Sequence, residues 1–234
     1  MDSQTLIALV SLIALEVVLG IDNIIFITIL AGKLPVEQQA KVRYIGIGLA
    51  MVMRLGLLAL ISWIMKLDQT LFTVINQNIT GKELILILGG LFLLYKSAKE
   101  IYHKVEAKEE NNLAKGAATF GSVLLQVLLL DLVFSIDSII TAVGMVDELW
   151  VMYTAVVVTV LIMLVAAKPI SDFVNKHPAF KVLALSFLMM IGMALLAEGF
   201  EIHIPKGYIY FSMAFALLVD VIQMKTGVSG NKNK

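Results

Sequence analysis

Two short stretches carry the acidic groups that could do chemistry in this chain. Glu16-Val-Val-Leu-Gly-Ile-Asp22-Asn23 lies inside the apolar run 6–30, and Asp131-Leu-Val-Phe-Ser-Ile-Asp137-Ser138 lies inside the apolar run 117–146. Both follow one pattern: an acid, two free positions, an apolar residue, a small residue, Ile, Asp, then Asn or Ser. A bilayer is crossed by about 20 consecutive apolar residues, and an ionisable group near its centre costs roughly 2.5–3.5 kcal/mol. Glu16, Asp22, Asp131 and Asp137 are therefore too costly to be filler. With Asn23 and Ser138 they form an all-oxygen donor set. Hard divalent cations such as Mg²⁺, Ca²⁺ and Mn²⁺ take six or more oxygens, whereas zinc and copper prefer nitrogen and sulfur. The chain has no cysteine, which removes thiolate metal sites, disulfides and iron–sulfur clusters together.

The elements that must hold these groups follow from composition. Of 234 residues, 59% are hydrophobic and only 15% charged, against about 45–50% and 25% in soluble domains. The chain reads as an all-α polytopic transmembrane bundle. The first apolar run is too long for a signal peptide and lacks its basic leader. Zero formal net charge argues against a nucleic-acid partner. Hydropathy predicts seven spans near 6–30, 44–65, 83–101, 117–145, 150–167, 181–199 and 208–224, the third being the weakest. Fourteen basic residues then fall on one side. They are Lys33, Lys41 and Arg43; Lys96, Lys99, Lys104, Lys108 and Lys115; Lys168, Lys176 and Lys181; and Lys225, Lys232 and Lys234. Only Lys66, Lys82 and Lys206 fall on the other, and Arg54 lies inside span two. By the positive-inside rule the amino terminus is outside and the carboxyl terminus cytoplasmic.

That topology runs the two acidic motifs in opposite directions. The layout becomes a three-helix repeat at 1–102, a charged cytoplasmic linker at 103–116, an inverted three-helix repeat at 117–201, and a seventh helix with a tail at 202–234. Inverted-repeat transporters bind substrate near the midplane, often on interrupted helices. In a regular helix Glu16 and Asp22 point about 120° apart, so convergence requires the helix to open. Gly20 is the place where opening is least costly, and Ser135 holds the matching position in the second copy.

Arg54 lies on the Gly46–Ala50–Arg54 face, a seam of small residues ending in a counter-ion; a tethered cation there could also gate the site. Glu198 is read either as part of an ion pathway or as a solvated rim with Glu201, and Asp220 either as pathway or as a snorkelling acid. The histidines (His103, His177, His203) fall in connections. The twelve methionines show no paired spacing and read as packing residues. Trp63, Trp150, Tyr208 and Tyr210 sit where an interfacial aromatic belt would. The structural alternative for the acids is that they are protonated, or paired with Arg54, and only lock helices together. No nucleophile–base pair or phosphate loop points to an enzyme.

These motifs resemble the TerC/Alx family of integral membrane proteins, within the LysE superfamily of exporters. The resemblance extends to Arg43–Gly46–Ala50–Arg54, Gly89-Gly90-Leu-Phe-Leu, the stretch from Lys168-Pro to His177-Pro178, Ala197-Glu198-Gly199-Phe200, and His203-Ile-Pro-Lys-Gly-Tyr-Ile-Tyr210. It implies seven spans and export of Mn²⁺ across a bacterial plasma membrane, with the acidic motifs carrying the metal as cargo. It also implies partners: the divalent ion, the lipid bilayer, and protein-export machinery or exported metalloproteins supplied with metal. Two other classes compete: a proton-linked or other cation carrier or channel using the same acids, and a non-transporting membrane adaptor of an export complex.

Overall fold

The computed structural model describes residues 3–60, 70–74, 77–106, 118–146 and 148–225. Seven long helices occur among them: α1 (Ser3–Ala31), α2 (Val36–Ala59), α3 (Gly81–Val105), α4 (Phe120–Met145), α5 (Leu149–Lys176), α6 (Pro178–Gly199) and α7 (Lys206–Lys225). Five of them, α1, α2, α4, α5 and α6, are long and apolar enough to cross a membrane. The apolar part of α7 is the shorter 207–223 stretch, and α3 carries Lys96, Lys99 and Glu100 toward its end. The protein is an all-α polytopic membrane bundle in which five spans are clear by length and composition. A short antiparallel hairpin, β1 (Thr70–Val74) against β2 (Gln77–Thr80), precedes α3 and was not expected from the hydropathy. Lys66 and Trp63, most of the 103–116 linker with Lys108 and Lys115, and Lys232 and Lys234 lie outside the described residues.

Local chemistry sets several boundaries. Thr80 and Glu83 form a reciprocal capping box at the start of α3, the Thr80 amide donating to Glu83 Oε2 (2.7 Å) and the Glu83 amide to Thr80 Oγ1 (3.3 Å). Thr119 Oγ1 accepts from the Ser122 amide (3.2 Å) to start α4. His177 separates α5 from α6, and Pro178 opens α6 at a position where its missing N–H costs nothing. α5 itself runs through Pro169 to Lys176, two turns beyond the predicted span end.

The helix contacts suit two inverted repeats, α1–α3 and α4–α6. The most extensive contact joins α3 to α6, the third helix of each repeat. It is reciprocal at two glycines: a Cβ on Gly90 would lie 2.7 Å from the Gly192 carbonyl oxygen, and one on Gly192 would lie 3.1 Å from the Gly90 oxygen. α1 packs on α5 as α4 packs on α2, so each repeat's first helix lies against the other repeat's second. Polar ties gather one end of the bundle. Lys33 pairs with Glu100, and Lys96 donates to Gln126. Arg43, expected in a connection, is instead a buried residue of α2 and donates to Ser171 of α5.

Candidate functional site

Position in an unbroken helix decides which acids meet. α1 is continuous through Gly20 and α4 through Ser135, so the interrupted helices expected from the sequence do not occur. Gly20 serves close approach instead, since a Cβ there would come within 2.8 Å of Met163 Sδ on α5. The Ser135 hydroxyl is spent on side chains and not on a freed carbonyl. In a regular helix Glu16, Gly20 and Asn23 share a face, and all three are buried. Asp22 points elsewhere.

Arg54 gathers the first group. It is 4% exposed, as is Glu16, and Asp131 is 6% exposed. Its Nη1 pairs with Glu16 Oε2, its Nη2 donates to Asp131 Oδ1 (3.1 Å), and its Nε donates to Ser135 Oγ (3.1 Å). Ser135 in turn donates to Asp131 Oδ2 (3.1 Å), one helical turn back. Asn23 Nδ2 reaches across from the first motif to Asp131 Oδ1 (3.3 Å). The two motifs thus meet through a guanidinium, an amide and a hydroxyl. Ser138, the counterpart of Asn23, instead donates to the Ser135 carbonyl of its own helix (3.3 Å). Burying a single ion costs several kcal/mol unless its hydrogen bonds are satisfied; here one guanidinium and two neutral donors serve two carboxylates.

Asp22 lines a cavity of about 170 Å³ between α1, α6 and α7, whose walls include Phe180, Phe187, Tyr210, Met213 and Leu217. Its Oδ2 is buried without a hydrogen-bond partner. Asp137 is 7% exposed on α4, and its main-chain oxygen accepts from Thr141 Oγ1 (2.9 Å). Tyr210, read from the sequence as an interfacial aromatic, is half-buried and stands within electrostatic range of Asp137, Asp22, Glu16 and Glu198. Glu198 is half-buried in the last turn of α6, and Asp220 half-buried in α7. Among the described residues, no three Asp, Glu, His or Cys side chains are grouped closely enough to hold a metal ion as they stand. Of the four acids, Glu16 and Asp131 form an arginine-bridged pair, and Asp22 and Asp137 are outside its hydrogen bonds to Arg54.

Sequence reasoning gave Ser135 and Tyr210 other roles and passed over Thr159. Ser135 had a signal, its i,i+4 spacing from Asp131. Tyr210 falls on the 210–213–214–217 stripe that faces the cavity. Thr159 is wholly buried on α5 with its hydroxyl unpartnered, one turn before Met163, and nothing in its surroundings in sequence distinguishes it.

The family model described as "Integral membrane protein TerC family" matches residues 1–234. The chain belongs to the TerC family. This TerC-family chain is 51% identical over 225 residues to a UPF0053 protein of Haemophilus influenzae, covering 96% of itself and 95% of that protein. It is 49% identical over 223 residues to the UPF0053 inner membrane protein YgdQ of Escherichia coli, covering 95% and 94%. It is also 50% identical over 222 residues to the UPF0053 inner membrane protein YoaE of E. coli, of which it spans only 43%. No solved structure matches the TerC-family chain.

Proposed function

We propose that this TerC-family protein exports divalent manganese from the cytoplasm through a carboxylate site at the junction of its two repeats. The observation that carries the reading is the buried, oxygen-rich cluster of Glu16, Asn23, Asp131 and Ser135 around Arg54, built from both motifs at once. Asp22 and Asp137 lie along the same two helices and complete the ligand set when the repeats move, with Ser138 as a further oxygen. Oxygen donors of this kind suit a hard cation, and inverted repeats are built to present such a site to each side in turn. Glu198 and Asp220 then lie toward opposite ends of an ion pathway. The protein sits in a bacterial inner membrane, as the names of YgdQ and YoaE state for those relatives. It crosses seven times, with the amino terminus outside and the carboxyl terminus in the cytoplasm. Metal delivery to exported proteins is the associated role, and the mechanism is that of a carrier in the LysE superfamily.

A second reading rests on the Arg54 ion pairs, which already satisfy Glu16 and Asp131. On that reading the acids lock helices, or relay protons, and the protein is a cation carrier of another kind or an adaptor of an export complex. Uptake of Mn²⁺ into inside-out vesicles, against a panel of Mg²⁺, Ca²⁺, Zn²⁺ and a proton gradient, separates them. Saturable Mn²⁺ uptake that depends on Asp22 and Asp137 is the expected result; proton flux without metal, or no flux, removes the manganese reading.

A further inference from the structure

The Glu16–Asp131 cluster contains its own cation, and its charge does not close. Two carboxylates face one guanidinium, so the formal sum is −1, with Asp22 and Asp137 a short way along the same helices. A permanent structural lock is best built neutral, because uncompensated charge in a low-dielectric interior is costly. Arg54 also bridges the repeats: Glu16 belongs to the first, Asp131 and Ser135 to the second, and Arg54 itself to α2 of the first. Three of its five N–H donors are engaged there, on the oxygens of Glu16, Asp131 and Ser135. A divalent ion and the guanidinium cannot share the same carboxylate oxygens, since like charges at hydrogen-bond distance repel strongly in such surroundings. Cavities of about 10 Å³, each about the size of one water, adjoin the cluster, one against Glu16 and one against Asn23 and Asp131.

We propose that Arg54 is a tethered stand-in for the transported cation: its guanidinium fills the Glu16–Asp131 site when no metal is bound, and withdraws when metal arrives. This rests on the transport reading above. Its consequence concerns the return of the empty carrier. With metal bound, the carboxylates are compensated and the repeats can rock. Without metal they would cross the apolar interior uncompensated, unless Arg54 takes the metal's place. Arg54 therefore serves the empty half of the cycle alone.

The test uses the full chain in proteoliposomes, with radioactive Mn²⁺ as the probe and Mn²⁺ binding measured by paramagnetic resonance. In Arg54→Gln, net Mn²⁺ flux should fall at least about tenfold while tracer exchange, with Mn²⁺ on both sides, stays within about threefold of wild type. Mn²⁺ affinity should rise, since an internal competitor is gone. Arg54→Lys keeps a tethered charge without the planar fork and should retain at least about a tenth of the net flux. It decides the question if Arg54→Gln does not insert. Net flux and exchange lost together in an inserted variant would make Arg54 a static part of the site and overturn the proposal. So would undiminished net flux in Arg54→Gln. Wild-type protein that neither binds nor moves Mn²⁺ would overturn the transport reading and this proposal with it, an outcome distinguishable because it appears before any substitution is made.

Discussion

At the scale of the residue, the informative contrast is between Glu16 and Asp22, six positions apart on one unbroken helix. Glu16 is held by Arg54, whereas Asp22 presents a buried, unpartnered oxygen to a largely apolar cavity. Asp22→Asn removes charge at nearly constant volume and breaks no hydrogen bond from Oδ2. We expect it, and Asp137→Asn, to lower Mn²⁺ flux by at least about tenfold with inserted protein unchanged, and the double variant to add little, because groups acting as one unit are non-additive. Full flux in either single variant would remove the shared site. The pH dependence has a definite sign. Metal binding to carboxylates displaces protons, so apparent Mn²⁺ affinity should rise with pH and weaken on acidification; affinity that is flat with pH would count against carboxylate ligation. Asp131→Asn differs in kind. It leaves Arg54 paired with Glu16 alone and turns one of the two oxygens that accept from Asn23, Ser135 and Arg54 into a donor, so it should lower thermal stability by about 1–3 kcal/mol as well as flux, read from detergent melting.

At the scale of the element, glycines define how closely helices approach. Gly90 and Gly192 let α3 and α6 touch backbone to backbone, so Gly192→Val should cost about 1–3 kcal/mol or more. Gly56 on α2 has open space around it, and Gly56→Ala should instead stabilise by up to about 1 kcal/mol. Melting that falls equally for both would refute the close-approach argument. The end of α6 offers a second check. Glu201 adopts φ 61°, and the Ile202 amide donates to the Ala197 carbonyl (2.9 Å), closing the helix with a left-handed residue that is usually glycine. Glu201→Gly should therefore raise stability by about 1 kcal/mol. A loss of stability would mean that the Glu201 side chain makes a compensating interaction.

At the scale of the molecule, one end of the bundle collects Lys33, Arg43, Lys96 and Glu100 through ties that join the α1–α2 connection to α3, α2 to α5, and α3 to α4. If that end is cytoplasmic, reporter fusions after Lys33 and after Lys225 should both read inside, and a fusion after Val146 outside. A fusion after Val146 that reads on the same side as one after Lys33 would break the inverted arrangement of the repeats. The chain has no cysteine, which also makes alternation directly measurable. Cysteines placed beside Asp22 and beside Asp137 should change labelling rate in opposite senses when Mn²⁺ is added, and identical rates would leave no role for rocking of the repeats.

The apolar runs, the two acidic motifs and their opposed directions were all legible in the sequence, because hydropathy and spacing are local properties of the chain. So was the Arg54 seam, whose small residues Gly46 and Ala50 share its helical face. The rotational setting of each helix was not legible. It depends on which side chains its neighbours present, and Gly20 shows the consequence. Read alone it marks a place to break a helix; packed against Met163 it marks a place where two helices meet, and the helix stays whole. With α1 continuous, Glu16 and Asp22 had to diverge. Tertiary packing then assigned Glu16 to Arg54 and Asp131, turned Asp22 toward Tyr210 and the α6–α7 cavity, and carried Arg43 out of a presumed connection to Ser171. Local pattern places four carboxylates in two apolar helices long enough to cross a membrane. Which of them share a partner is set by contacts between residues 38 to 108 positions apart, and those form only when the bundle closes.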